Sequence, residues 1–171
     1  MSPDTRTGSA LPDGQQGFSL IEVLVALLVL SIGLLGLAAL QTTSLKYNTE
    51  SYFRTQATYF VYDIVDRMRT NSDGVASGGA YDVSDAGAVS TLLSDYGTCR
   101  TSSCDCDSNS CNSANLATYD LGKWYDRMNA ILPGAKDNPA TIAIDASKKV
   151  TIIVNWQERD LLKTQTWEIQ L

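Results

Sequence analysis

From Phe18 to Leu40 the chain reads FSLIEVLVALLVLSIGLLGLAAL, 23 residues in which Glu22 is the only charged position. No polar stripe interrupts the run, so the pattern predicts a helix that is apolar on every side, the form a segment takes when hydrocarbon surrounds it. At a rise of about 1.5 Å per residue it spans about 34 Å, enough to cross a bilayer core. Glu22 opposes insertion by up to about 3 kcal/mol, whereas the twelve Leu, Ile and Val residues between positions 23 and 40 favour it by about 4 to 7 kcal/mol together. Insertion wins with the glutamate in place.

Further along, Phe53, Ala57, Phe60, Val61, Ile64, Val65 and Met68 recur at three- and four-residue steps, which predicts one apolar face on a continuing helix. Glu50 with Arg54, and Asp63 with Arg67, stand at i,i+4 spacing and suit a solvated opposite face. Asp63 and Asp66 lie beside Arg67 and Arg69 and read as part of that face rather than as paired catalytic acids. The helix is expected to run to residue 71, where Asn71-Ser72-Asp73-Gly74 supplies a break.

Residues 72–113 are rich in Ser, Gly, Asp and Asn and show no sustained period, which predicts loops with short elements such as Val89 to Leu93. Asn112 or Ser113 can then cap a helix with apolar positions at Leu116, Leu121, Trp124, Met128 and Ile131 or Leu132, ended by Pro133-Gly134. Core packing is the expected role of its aromatic residues. At the C-terminus, Lys149 to Trp156, a polar stretch from Gln157 to Asp160, and Leu162 to Leu171 predict a β-hairpin. Packing of that sheet on the later half of the long helix gives an α+β fold. No internal repeat is visible.

Composition narrows the chemistry. The 171 residues include no histidine, which removes the usual general base, the histidine triads and the commonest metal ligand. An enzyme is not expected, no cofactor is called for, and no metal site is assigned. There are 13 basic against 19 acidic residues; without residues 1–17, which carry Arg6, Asp4 and Asp13, 12 stand against 17. This mild acidity argues against a broad basic surface for nucleic acid.

Cys99, Cys104, Cys106 and Cys111 form a C-x4-C-x-C-x4-C cluster. In a cytosolic chain this spacing would suggest zinc, but an upstream membrane span places it in an oxidising compartment, where two disulfides are expected. A Cys104–Cys106 bridge would close a tight ring, so Cys99 is expected to pair with Cys104 or Cys106, leaving Cys111 to complete the second bridge. Asp105, Asp107 and Asn109 imitate the start of a calcium loop, yet Ser110 stands where glycine is needed and Leu116 where the bidentate glutamate belongs. A solvated turn is the expected reading.

The segment QQGFSLIEVLVALLVLSIGLLGLAAL closely resembles the class III signal of type IV prepilins and type II secretion pseudopilins. The polar leader before it lacks the basic n-region and small-x-small site of a secretory signal peptide, and it also lacks the Lys or Arg usual near a prepilin cleavage site. The resemblance implies that a prepilin peptidase/N-methyltransferase cuts after Gly17 and methylates the new N-terminal Phe18. It also implies that Glu22 sets axial register by meeting that amine on a neighbouring subunit. Gly33 and Gly36 are then either close-packing positions or points of local unwinding in a filament.

CNSANLATYDLGKWYDRMNAILPG, with Tyr119, Asp120 and Trp124, resembles the corresponding segment of PilV-type minor pilins. The implied organisation is a leader at 1–17, a long helix at 18–71 whose half 18–40 is transmembrane, and a head at 72–171 with a cysteine-rich loop at 99–111. The implied fold is type IV pilin-like, with a membrane stem and amphipathic spine packed on a small antiparallel sheet. The implied path is single-pass insertion in the bacterial inner membrane with a periplasmic head, then export into a pilus alongside major and minor pilins. Its implied role is pilus assembly or initiation, with adhesion or twitching motility as possible outputs. A type II secretion pseudopilin and a non-assembling membrane-tethered binding module are the alternatives.

Overall fold

The computed structural model describes residues 17–76, 79–101 and 105–171. The chain contains α1 (Leu20–Thr70), α2 (Ser72–Ala76), α3 (Ala86–Cys99), α4 (Ser113–Ile131), β1 (Thr141–Ile144), β2 (Lys149–Glu158) and β3 (Leu161–Gln170). It divides into two compact units, Met1–Lys46 and Tyr47–Leu171, with α1 contributing to both.

In the first unit the described residues are the start of α1, and every side chain from Leu20 to Lys46 is exposed. Three of its hydroxyls are satisfied along the helix itself: Ser31 donates to the Leu27 carbonyl at 2.7 Å, Thr42 to Ala38 at 2.7 Å and Thr43 to Ala39 at 3.1 Å. A polar side chain that returns its hydrogen bond to its own helix costs little in hydrocarbon.

In the second unit, α1 turns Ala57, Phe60, Val61, Ile64, Val65 and Met68 into a core shared with α4 and the sheet, while Phe53 is half-buried at its margin. Strand β2 alternates as its sequence requires: Val150, Ile152, Val154 and Trp156 are buried. Sheet order is β1-β2-β3, antiparallel throughout. The hairpin is tighter than the polar stretch 157–160 suggests, because Gln157 and Glu158 pair with Leu162 and Leu161. Arg159 and Asp160 make the turn, with Arg159 at φ 59°. Helix α4 begins where expected: Asn112 is the cap, its side chain accepting from the Asn115 amide at 2.8 Å.

Three elements depart from the expectation. The region expected to be loops with a short piece at 89–93 contains α3, 14 residues long, opened by the Asp85 carboxylate accepting from the Ala88 amide at 2.9 Å. Its buried positions, Val89, Leu92, Tyr96 and Cys99, keep helical spacing, but only four of them stand among Gly, Ser and Thr. The expected chain break at Asn71 is one residue before the short α2. Strand β1, whose fully buried anchor is Ile142, was not anticipated.

Helix α3 packs on α4 at Gly122, where an added Cβ would lie 2.0 Å from Tyr96 Cγ. The bare backbone there is what admits the ring.

Candidate functional site

The junction at Gly17, Phe18 and Ser19 precedes the first helical residue, and all three are exposed, Phe18 at 84%. Ser19 ends this stretch by accepting from the amides of Glu22 at 3.0 Å and Val23 at 3.3 Å. A protease needs an accessible peptide at its cleavage point, and residues 17–19 are exposed and non-helical immediately before a long helix. The leader residues 1–16 lie outside the described residues.

Glu22 falls in the first turn of α1, where a negative charge is favoured by the unpaired amides of the helix start. It borders a shallow groove of about 420 Å³ whose other walls are Phe18, Val23, Ala26, Leu27 and Leu30. Glu22 is the one ionisable group in that lining, and among the described residues it has no ion-pair partner. Chemically, such an arrangement offers a carboxylate in apolar surroundings for a cation supplied from elsewhere. Gly33 and Gly36 have open space where a Cβ would go, and α1 is continuous through both. Among the described residues no contact requires glycine at either position.

The acids read as a solvated face have a more specific arrangement. Asp66 does sit on the surface, 3.3 Å from Arg69. Asp63, by contrast, accepts from Arg67 Nε at 3.2 Å and from Arg127 of α4. Arg67 extends through Nη1 to Asp120 at 2.7 Å, and the second Asp120 oxygen accepts from the Tyr81 hydroxyl at 2.8 Å. Asn71 closes the set, donating to Tyr81 at 3.2 Å and to the Ser113 carbonyl at 2.8 Å. Tyr81 is fully buried and Asp120 is 6% exposed. Burial pushes the Tyr81 phenol well up, against the opposing hydrogen bond from Asn71. Glu50 likewise meets Arg159 at 3.9 Å rather than its helical neighbour Arg54.

This network joins α1, the segment around Tyr81 and α4. It holds three parts of the head together. The hints in sequence were Asp120, a charge in an otherwise apolar helix face, and the acid–base spacing of Asp63 and Arg67. Trp124 and Tyr119 are buried as expected of core aromatics, and Trp124 Nε1 donates to the Phe60 carbonyl at 2.8 Å.

Cys106 and Cys111 form a disulfide with Cα atoms 5.5 Å apart. Cys99 is also disulfide-bonded, and Cys104 lies outside the described residues. The Asp105 carboxylate accepts from the Asp107 amide and the Ser108 hydroxyl, both at 3.2 Å, and Asp107 pairs with Lys123. These carboxylates therefore build a turn and tie it to α4. Among the described residues no group of three His, Cys, Asp or Glu is placed to hold a metal ion.

Residues 13–38 match the prokaryotic N-terminal methylation motif, a type IV prepilin-like signal. No curated protein and no solved structure matches the chain. With the motif in place, the long apolar helix and small three-stranded antiparallel sheet constitute an α+β pilin-like architecture. The motif supports a pilin- or pseudopilin-type subunit, handled by prepilin peptidase and assembled with other pilins, and the apolar helix suits a membrane anchor.

Proposed function

We propose that the chain is a minor pilin, a structural subunit made as a prepilin and built into a type IV pilus. The observation that carries this reading is the methylation motif laid over an apolar helix with a single carboxylate near its start. Cleavage after Gly17 releases the Phe18 amine, which is methylated. The residues 18–40 hold the subunit in the bacterial inner membrane as a single pass, with 72–171 in the periplasm, until it is drawn into the filament.

On this reading Glu22 acts by electrostatics. A positive amine enters an apolar filament interior only at a cost of several kcal/mol if unpaired, and a carboxylate on the neighbouring subunit recovers much of it. Subunits in the wrong axial register leave both charges unmatched. The disulfides suit a head exposed to an oxidising compartment. The minor-pilin assignment, in preference to a type II secretion pseudopilin, is supported by the likeness of CNSANLATYDLGKWYDRMNAILPG to PilV-type minor pilins. A role in pilus initiation, adhesion or twitching follows from the same likeness.

The test is intact-mass and N-terminal peptide analysis of protein from its native membrane, with and without prepilin peptidase. The expected result is peptidase-dependent loss of residues 1–17 and methylated Phe18; an uncut chain would return it to the membrane-tethered binding modules. Glu22→Ala should be inserted and cut normally yet be missing from sheared filaments, and normal incorporation would remove the register role.

A further inference from the structure

The sheet has two unequal edges. Strand β1 is four residues long, and its outward backbone is covered: Val83 N donates to Ile142 O at 2.8 Å, and Ile142 N to Val83 O at 3.1 Å. Strand β3 is ten residues long and among the described residues has no such cover. The ladder shows which groups it leaves open. Leu171 N donates to Lys148 O at 3.2 Å, one step beyond the Lys149–Gln170 pair. In an antiparallel ladder bonded residues alternate, so the odd-numbered residues of β3 bond to β2. Leu162, Thr164, Thr166, Glu168 and Gln170 direct amides and carbonyls outward. Gln157, opposite Leu162, agrees: its amide goes to Pro133 O at 2.6 Å, away from β3.

All five outward residues are exposed, and among the described residues no backbone group takes up their donors and acceptors. Edge strands are ordinarily protected by shortness, proline, bulges or a run of charge. Strand β3 contains no proline, pairs with β2 over ten consecutive positions without a bulge, and carries one Lys and one Glu. It opens with Leu161 and Leu162, 65% and 52% exposed. An unprotected row of alternating amides and carbonyls is matched by an extended backbone.

We propose that the free edge of β3 is a strand-addition site, occupied in the filament by an extended segment from the head of a different prepilin-type subunit. This rests on the assembly reading above and deepens it by naming a contact. A second copy of this chain is a poor occupant. Its β1 edge is already covered by Val83. Antiparallel pairing of two β3 strands requires a two-fold axis normal to the sheet. The α1 stretch Ala57 to Met68 shares the core with Val150, Ile152, Val154 and Trp156 of β2 and so lies along the sheet face. That axis would make the two α1 segments run in opposite directions, whereas chains anchored through their N-termini in one membrane need them aligned. Parallel pairing of two β3 strands about an axis along the strands turns one sheet over, setting the half-buried Trp167 and Ile169 beside the partner's exposed Thr164, Thr166 and Glu168. The fitting partner strand is apolar on the side of Trp167 and Ile169 and polar on the side of Thr166 and Glu168.

The test uses the full chain in its native cells. Thr166→Pro removes an outward donor and obstructs the edge without taking a hydrogen bond from β2; Thr166→Ala leaves the edge open. The T166P chain should be cut at Gly17 and reach wild-type membrane levels with a protease-resistant head, while its content in sheared filaments falls at least tenfold and T166A stays at wild type. A photo-crosslinking residue at position 166 should yield adducts with the head of another prepilin-type chain. Wild-type incorporation of folded T166P overturns the proposal, as does an adduct only between two copies of this chain. Should T166P fail to fold, the adduct alone decides, and its absence counts against the edge. If the wild-type chain is itself uncut or absent from filaments, the assembly reading fails and this proposal with it; incorporation of both wild type and T166P sinks the edge alone.

Discussion

Replacing Gly122 with alanine sets two effects of opposite sign against each other. In the middle of a helix alanine is favoured over glycine by about 1 kcal/mol, so on propensity alone G122A would stabilise α4. The structure places the new Cβ 2.0, 2.2 and 2.4 Å from Tyr96 Cγ, Cδ2 and Cδ1, where ordinary contact begins at 3.4 Å. The ring must move by more than an ångström. It is 5% exposed and stands edge-on to Tyr119 with centroids 6.1 Å apart. Overpacking of this kind costs about 1–3 kcal/mol. Losing half the burial of an aromatic side chain, about 100 Å² at about 25 cal/mol per Å², adds about 2.5 kcal/mol. The net expectation is destabilisation by about 3–4 kcal/mol. Urea titration of the full chain in detergent micelles, followed by tryptophan fluorescence, measures it. Tyr96→Ala should itself cost about 3 kcal/mol, but in that background G122A should be neutral or stabilising by about 1 kcal/mol. Additivity of the two changes to within about 0.5 kcal/mol would refute the claim that the tyrosine ring is what excludes a side chain at 122.

Asp120→Ala leaves the buried Tyr81 hydroxyl without its acceptor and Arg67 with Asp63 as its remaining partner, so stability should fall by about 3 kcal/mol in the same titration; Asp120→Asn, which keeps shape and one acceptor, should lose about half as much. Burial holds the phenols of Tyr81 and Tyr125 above their ordinary value near 10. Above about pH 10 the unfolded chain therefore binds fewer protons than the folded one. Their contribution is complete below that pH and is lost as pH rises toward the folded values. Alkaline titration should show their tyrosinate absorbance arriving together with loss of tertiary structure, and ionisation of all eight tyrosines in the folded protein would contradict this. Changing both Cys106 and Cys111 to alanine opens a loop of sequence separation 5, for which chain entropy predicts a loss of about 2 kcal/mol; an unchanged urea midpoint would show that the loop is held by its Lys123–Asp107 tie instead.

Elements whose burial is periodic and local were legible in advance. The inward stripe of α1, the Asn112 cap and the alternation of β2 each repeat a simple spacing often enough to stand above the background, and a class III signal is contiguous. Helix α3 was missed because its four buried residues are separated by Gly, Ser and Thr, which carry turn propensity of their own; contact with α4 makes it a helix. Strand β1 has four residues and one fully buried anchor, below what alternation can reveal. Asp63 looked like an ordinary i,i+4 partner of Arg67, and that pair does form, but its second ion partner, Arg127, is 64 positions away.

The amino-acid sequence by itself determined the apolar helix, its lone glutamate, the N-terminal methylation motif and the C-terminal hairpin, since each depends on residues a few positions apart. Tertiary structure decided which acids are buried, why glycine stands at 122, and which edge of the sheet stays open. These are properties of pairs distant along the chain, and their energies exist only after the backbone has brought the partners within ångströms of each other.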